Sequence, residues 1–274
     1  MRNWEDTRVD SRYIKARRDG FMKVIAHRGL SSRFPELTES AFRAALELPI
    51  HGIETDVRLT KCGEVVNIHD PIVDRVSNGR GRVSRLDLES LLSLNFGTKE
   101  APEKVLTLNN LLDILEDYPD KHLYIETKHP MRYAIMLEEE VTKILKYRGL
   151  MEDPRIHIIS FALPAISRME RLAPAIDRIH LRRSWERWGN PRDLRCGAPT
   201  GLGLSVERAK MDPRMIGAKG LPTYLFTVDK QKDMLWARDH GVDMLATNYP
   251  DRAAELLNAH PKPAMYANAH GKED

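Results

Sequence analysis

Cysteine is almost missing from this chain: Cys62 and Cys196 are the only two among 274 residues. Without paired spacing they exclude both a disulfide scaffold and a cysteine-rich zinc module. Long apolar runs are missing as well. Nothing approaches the roughly 18 residues of a membrane span, and residues 1–20 are too charged for a secretory apolar segment. A cytoplasmic enzyme is the expectation, although a processed precursor would read the same way. Nor does one sign of charge prevail: 43 Lys and Arg stand against 40 Asp and Glu, a net charge of +3. A nucleic-acid partner is therefore not expected. No repeat of about 20–50 residues is visible, which removes solenoids and propellers.

What is present is an alternation. Apolar, β-branched runs at Val24–His27, Gly52–Val57, Val65–His69, His122–Thr127, Ile156–Phe161, Ile176–Leu181, Tyr224–Val228 and Val242–Thr247 read as strands. Helical patterns over Thr38–Leu48, Leu108–Asp117, Met131–Tyr147, Pro164–Leu172, Asp229–Asp239 and Pro250–Asn258 lie between them. Eight such units imply a closed α/β barrel, which needs about 250 residues, so a single domain over 1–274 is expected. Gly201–Val206 is a further strand candidate that would change the count by one. The link from Arg58 to Glu64 is too short for a parallel crossover and reads as a hairpin, so the barrel is distorted there. Residues 70–104, with a turn at Asn78-Gly79 and helix signal over Leu86–Leu94, read as a small insert over the carboxyl-end face. The catalytic barrel is assigned to 21–258, with 1–20 and 260–274 as terminal extensions.

Three of these strands run from an apolar body into ionisable residues: Val24 to His27-Arg28-Gly29, Ile53 to Glu54-Thr55-Asp56, and Val65 to His69-Asp70. In a parallel barrel that is where a reaction centre lies. Glu54 and Asp56, two apart, share a strand face with Cα atoms roughly 6.6 Å apart. Two carboxylates aimed into one pocket repel each other unless a cation sits between them. An all-oxygen set selects Mg²⁺ or Ca²⁺, with Glu126 at the end of another strand as third ligand. The bland alternative is that these acids cap helices or pair with Arg28. His27 and His69 can hold opposite protonation states near neutral pH and serve as general base and general acid. Taken singly, each could be a structural group at a strand end. Arg28 and Lys128 can grip phosphate oxygens, or merely neutralise the acids. The other eight histidines are assigned nothing.

The ordered set His27-Arg28-Gly29, Pro35-Glu36-Leu37-Thr38, Glu54-x-Asp56, Thr60-Lys61-Cys62-Gly63, His69-Asp70, Asn78-Gly79-x-Gly81, Glu126-x-Lys128, Phe226-Thr227-Val228 and Thr247-Asn248-Tyr249-Pro250 resembles the glycerophosphodiester phosphodiesterase family, across about residues 23–256. The resemblance implies a distorted TIM barrel, with a divalent ion on Glu54, Asp56 and Glu126. It implies His27 and His69 as proton carriers, without saying which is the base. It also implies that a glycerol hydroxyl attacks phosphorus, expels the alcohol, and leaves a cyclic phosphate that water opens to glycerol 3-phosphate. Glu36 is a supporting acid, and Phe226 is an apolar wall beside the small-molecule phosphodiester substrate. The chain departs from the usual pattern at Leu37 (usually Asn), Cys62 (Asp), Phe226 (Trp), Asp229 (Asn) and Asn248 (Asp). Substrate shape, more than chemistry, is thereby put in doubt.

Residues 182–195, with Trp185 and Trp188 among arginines, read plainly as a solvated loop. They also suit weak contact with an anionic membrane surface, a clamp on an acidic substrate, or a homodimer contact. Alternatives to glycerophosphodiester hydrolysis are a phospholipase D acting on lysophospholipid or sphingomyelin, a metal-assisted enolate enzyme, and a non-catalytic phospholipid-binding barrel.

Overall fold

In the computed structural model, which describes residues 22–130, 135–184 and 198–259, chain order alternates strand and helix through nine strands. They are β1 (Lys23–His27), β2 (Gly52–Leu59), β3 (Val65–Asn67), β4 (His122–Thr127), β5 (Ile156–Ser160), β6 (Asp177–Arg182), β7 (Gly201–Ser205), β8 (Thr223–Phe226) and β9 (Met244–Thr247). All except β3 close into a parallel ring in the order β1-β2-β4-β5-β6-β7-β8-β9, with β9 pairing back to β1. This is a TIM barrel, distorted on one side. There β3 pairs antiparallel with β2, Val57 opposite Asn67, as the short link demands.

Two readings of the strands need correction. The run from Val65 is not a ring strand and stops at Asn67, so His69 sits on the loop beyond a hairpin rather than at the end of a barrel strand. The eighth ring strand is instead β7, the further candidate at Gly201.

Helices α1 (Glu39–Leu46), α2 (Leu88–Leu92), α3 (Leu108–Glu116), α4 (Met136–Tyr147), α5 (Leu163–Leu172), α6 (Val206–Met211), α7 (Gln231–Asp239) and α8 (Pro250–Ala259) accompany the strands. Several start where a side chain satisfies a free backbone N–H. The Thr38 hydroxyl accepts from Ala41 N at 3.3 Å, and Thr107 and Asn110 cap each other reciprocally at the head of α3. Pro164, with no N–H to lose, stands in the first turn of α5. Along α3, Leu108, Leu111, Leu112 and Leu115 recur at helical spacing and are buried against the barrel. Truncating one such leucine to alanine typically costs about 2–5 kcal/mol.

Strand alternation divides the core into two. Ile53, Val57, Leu123, Ile125 and Ile158 point outward and pack with the helices. Ile25, Tyr124, Ile159, Ile179, Tyr224 and Ala246 form a separate cluster that fills the barrel interior. A third cluster, Val66, Ile68, Val73, Val83, Leu91, Phe96 and Val105, lies under the insert. The insert carries α2 and reaches back to the carboxyl-end face through Arg75, which bonds Glu36 and Asp70. Among the described residues no helix is long and apolar enough to cross a membrane. The expected extensions and the Trp–Arg stretch from residue 185 lie outside the described residues, as does the expected start of α4 at Met131.

Candidate active site

The interior-facing parity that places Ile25 and Tyr124 inside the barrel also turns His27, Glu54, Asp56 and Glu126 inward, at its carboxyl end. Register brings them level: His27 pairs with Glu54 across β1 and β2, and Asp56 with Glu126 across β2 and β4. Glu54, Asp56 and Glu126 are buried, and one carboxylate oxygen from each lies within 4.8 Å of the others. The expected triad is therefore gathered in one place.

The backbone at the first motif is unusual. Arg28 and Gly29 take φ of 60° and 80°, a left-handed pair that turns the chain sharply after His27. At Gly29 a Cβ would lie 2.6 Å from the carbonyl carbon of Ala41, so only glycine fits. The turn aims the Arg28 N–H at Glu54, where it reaches both the backbone oxygen and Oε2 at 3.1 Å. Strain of this kind concentrates at functional sites.

Two cations are built into the acids. Lys128 Nζ lies 2.9 Å from Asp56 Oδ1 and 2.6 Å from Glu126 Oε1. Arg28 Nε lies 3.0 Å from Asp56 Oδ2, and its Nη1 donates to Glu36 at 3.1 Å. Burial opposes ionisation of Asp56, but Lys128 and Arg28 together outweigh it and hold Asp56 below its ordinary pKa. Glu126 is pushed up to about 6, burial overcoming the pull of Lys128. Glu54 fares worst. Burial, then the Asp56 and Glu126 charges, raises it well above the carboxylate range, and its Oε1 is buried with no hydrogen-bond partner. Arg28 and Lys128 only partly offset this, and an unmet Oε1 beside two further carboxylates fits a hard divalent cation. Glu36 spends both oxygens on arginines, Arg28 and Arg75, so it positions Arg28 and ties down the insert.

The two histidines stand on different supports. His27 Nδ1 lies 2.8 Å from Asn248 Oδ1. That amide is itself oriented, because Asn248 Nδ2 donates to Asp229 Oδ2 at 2.8 Å. Its oxygen must then accept, which puts the His27 proton on Nδ1 and leaves Nε2 bare, 4.0 Å from Glu54 Oε2. His27 is pushed down to about 4 by burial and the adjacent Arg28. His69 Nδ1 instead faces a carboxylate, Asp70 Oδ1, at 2.8 Å. Burial lowers its pKa too, with Asp56 working the other way. Arg58 anchors the His69 carbonyl through Nε and Nη2 at 2.9 and 2.7 Å, which holds the loop beyond the hairpin in place. Phe226, half-buried at the end of β8, meets Phe161 edge-on with centroids 5.4 Å apart.

Residues 27–252 match the Glycerophosphoryl diester phosphodiesterase family. The chain belongs to that family. A glycerophosphodiester phosphodiesterase of Caldanaerobacter subterraneus is 33% identical over 250 residues, covering 85% of this chain and 97% of that protein. Among solved structures, an Oleispira antarctica phosphodiesterase in complex with the product sn-glycerol-3-phosphate superposes with a TM-score of 0.80 at 24% identity, covering 88% of this chain and 99% of the other. A glycerophosphodiester phosphodiesterase from Parabacteroides distasonis gives 0.76 at 24% identity, covering 87% and 97%. The chain is thus an enzyme, a phosphoric diester hydrolase acting on a small-molecule phosphodiester.

Against the usual pattern of the glycerophosphodiester phosphodiesterases, the structure explains three departures. Asp229 and Asn248 are the family's Asn and Asp exchanged, and here they bond each other, so one change compensates the other. Neither is marked as functional by local sequence pattern, although their joint departure is a signal. Leu37, where the family usually has Asn, adopts φ 62°, which Asn tolerates better than Leu. Burial of its side chain, 4% exposed, and an N–H bond to the Arg28 carbonyl at 3.1 Å hold it there.

Proposed function

We propose that this phosphodiesterase hydrolyses glycerophosphodiesters to glycerol 3-phosphate and an alcohol, with His27 as general base and His69 as general acid. The observation that carries the assignment is the partner of each Nδ1. Burial and Arg28 keep His27 a neutral imidazole, and the amide of Asn248, fixed by Asp229, puts its proton on Nδ1 and leaves a free lone pair on Nε2. A carboxylate behind His69 favours the doubly protonated ring that can give a proton away. His27 would take the proton from the glycerol hydroxyl next to the diester, which then attacks phosphorus. His69 would protonate the departing alkoxide. For opening of the cyclic phosphate the roles reverse: His69 deprotonates water and His27 returns a proton to the ring oxygen.

Glu54, Asp56 and Glu126 would hold one divalent cation, Mg²⁺ or Ca²⁺, which when bound neutralises charge growing on the phosphoryl oxygens. Arg28, positioned by Glu36, and Lys128 stand beside the acids, where they can share the phosphate charge. Phe226 and Phe161 would shape the space for the substrate's carbon skeleton. The relative held with sn-glycerol-3-phosphate supports the same product here.

The test is product analysis by ³¹P NMR on glycerophosphocholine, glycerophosphoethanolamine and lysophosphatidylcholine, with Mg²⁺, Ca²⁺ or a chelator. Glycerol 3-phosphate should appear from the first two and vanish with the chelator. Choline release from lysophosphatidylcholine alone would favour the phospholipase D reading, and turnover undiminished by chelation would remove the metal from the mechanism. In a Mg²⁺ titration, Glu54→Gln should raise the concentration needed for half-maximal activity.

A further inference from the structure

Three of the histidines left without a role converge at the amino end of the barrel, the end opposite the acids. His51 immediately precedes β2, His122 opens β4, and His157 is the second residue of β5. One ring nitrogen from each lies within 4.8 Å of the other two. His122 stacks between the others, its ring centroid 3.9 Å from His51 and 5.2 Å from His157. The close approach of β2 to β4 depends on Gly52, where a Cβ would fall 2.1 Å from the His122 carbonyl oxygen.

The nitrogens are arranged as donors to a metal. His157 Nδ1 faces Asp177 Oδ2 at 3.3 Å, which places its proton there and turns the Nε2 lone pair into the cluster. That Nε2 accepts from His122 Nδ1 at 2.9 Å, through a proton that a bound metal ion would displace. His51 Nε2 is buried and has no hydrogen-bond partner, an unmet demand that buried polar atoms rarely show. Burial keeps all three imidazoles below their ordinary pKa, His122 at about 3, so they stand as neutral ligands and not as cations. Lys23, Lys121 and Arg155 are the nearby cations. Burial lowers the pKa of Lys23, while Asp177 and Asp243 supply opposing negative charge.

We propose that His51, His122 and His157 form a second metal site, for one zinc-class transition ion, that ties together the amino ends of β2, β4 and β5. Three nitrogen donors select zinc, copper or nickel over the Mg²⁺ or Ca²⁺ suited to the all-oxygen site at the other end. Tetrahedral zinc at about 2.0–2.1 Å from each nitrogen needs those nitrogens roughly 3.4 Å apart, so side-chain rotation must part His122 Nδ1 and His157 Nε2 from 2.9 Å while keeping the His51 nitrogen close. Asp177 behind His157 completes a carboxylate–histidine–metal line that fixes the ring. His51 and His122 are half-buried, so solvent can reach the site and fill the fourth position.

The experiment is Co²⁺ and Zn²⁺ binding to the full chain, followed by calorimetry and by the visible absorption of Co²⁺. It is run on Glu54→Gln/Glu126→Gln protein, and in parallel on the unaltered chain with Mg²⁺ saturating the acids, so that folding of one variant does not decide the result. The expected result is one equivalent bound with the intense bands of a tetrahedral nitrogen-rich site. His51→Gln and His122→Gln, each checked as folded by unchanged phosphodiester turnover, should remove the bands and weaken Zn²⁺ binding by about 10–100-fold. Absence of stoichiometric binding in both backgrounds, or binding that survives both histidine substitutions, would overturn the proposal and leave the stacked imidazoles as a polar plug. Neither outcome bears on the phosphodiesterase reading.

Discussion

Both ends of this barrel carry inward-facing ionisable side chains, yet they treat histidine in opposite ways. Along β1 the inward parity runs Lys23, Ile25, His27, and along β4 it runs His122, Tyr124, Glu126. Ionisable groups thus stand above and below an apolar middle layer of Ile25, Tyr124, Ile159 and Tyr224. At the carboxyl end each histidine has a partner of its own, Asn248 for His27 and Asp70 for His69. At the amino end the histidines partner one another. Residue type alone therefore says little about duty; the partners of both ring nitrogens, together with the depth of burial, decide whether a ring gives a proton, takes one, or offers a lone pair.

The largest expected effect separates the ends outright. His27→Ala and His69→Ala should each lower kcat by at least about 10²-fold, in line with general acid–base contributions. Steady-state assays of His157→Gln should show unchanged turnover. A comparable loss from the amino-end substitution would erase the contrast.

A smaller effect tests the support behind His27. Asn248→Asp would set two carboxylates against each other where Asn248 Nδ2 and Asp229 Oδ2 now lie 2.8 Å apart, and repulsion would turn the group away from the ring. We expect kcat to fall about 10–100-fold, as when the partner that orients a functional histidine is lost, with KM nearly constant. Asp229→Asn should cost less. The double exchange Asp229→Asn/Asn248→Asp should restore most of the loss, whereas a purely structural role would show no such reciprocity.

The smallest effect is on stability against pH. The amino-end histidines have folded pKa values below the unfolded value of about 6.5, so between the two the unfolded chain binds more protons. Their contribution is whole above pH about 6.5 and is lost as pH falls toward the folded value, about 3 for His122. Lys23, Lys121, Arg155, Asp153 and Asp177 share that neighbourhood. Denaturant unfolding across pH 4–7 should show this slope, and His122→Gln should flatten it.

Much of this molecule is legible in its sequence. The apolar-to-ionisable transitions at His27, Glu54 and Glu126 mark the carboxyl-end mouth because the barrel interior admits charge only at its mouths, although β2 itself runs on past Glu54 to Leu59. The hairpin after Leu59 follows from loop length. Ring membership was harder to read. Val65-Val66 carries a strong strand signal but has nowhere parallel to go, while Gly201-Leu202-Gly203-Leu204 carries a weak one. At Gly203 β7 lies close to β6: a Cβ would fall 2.3 Å from Leu181 Cδ2 and 3.1 Å from Leu181 Cα. The Asp229–Asn248 contact and the histidine cluster stayed hidden because closure of the ring, not local pattern, brings their members together.

The division of labour between His27 and His69 is tested most directly by changing the leaving group. An alkoxide must be protonated as it departs, whereas p-nitrophenolate leaves without help. On a glycerophospho-p-nitrophenyl ester, kcat of His69→Ala should recover to within roughly tenfold of the unaltered enzyme, while His27→Ala stays as impaired as on glycerophosphocholine. Recovery of His27→Ala instead, or of neither variant, would contradict the assignment of base and acid.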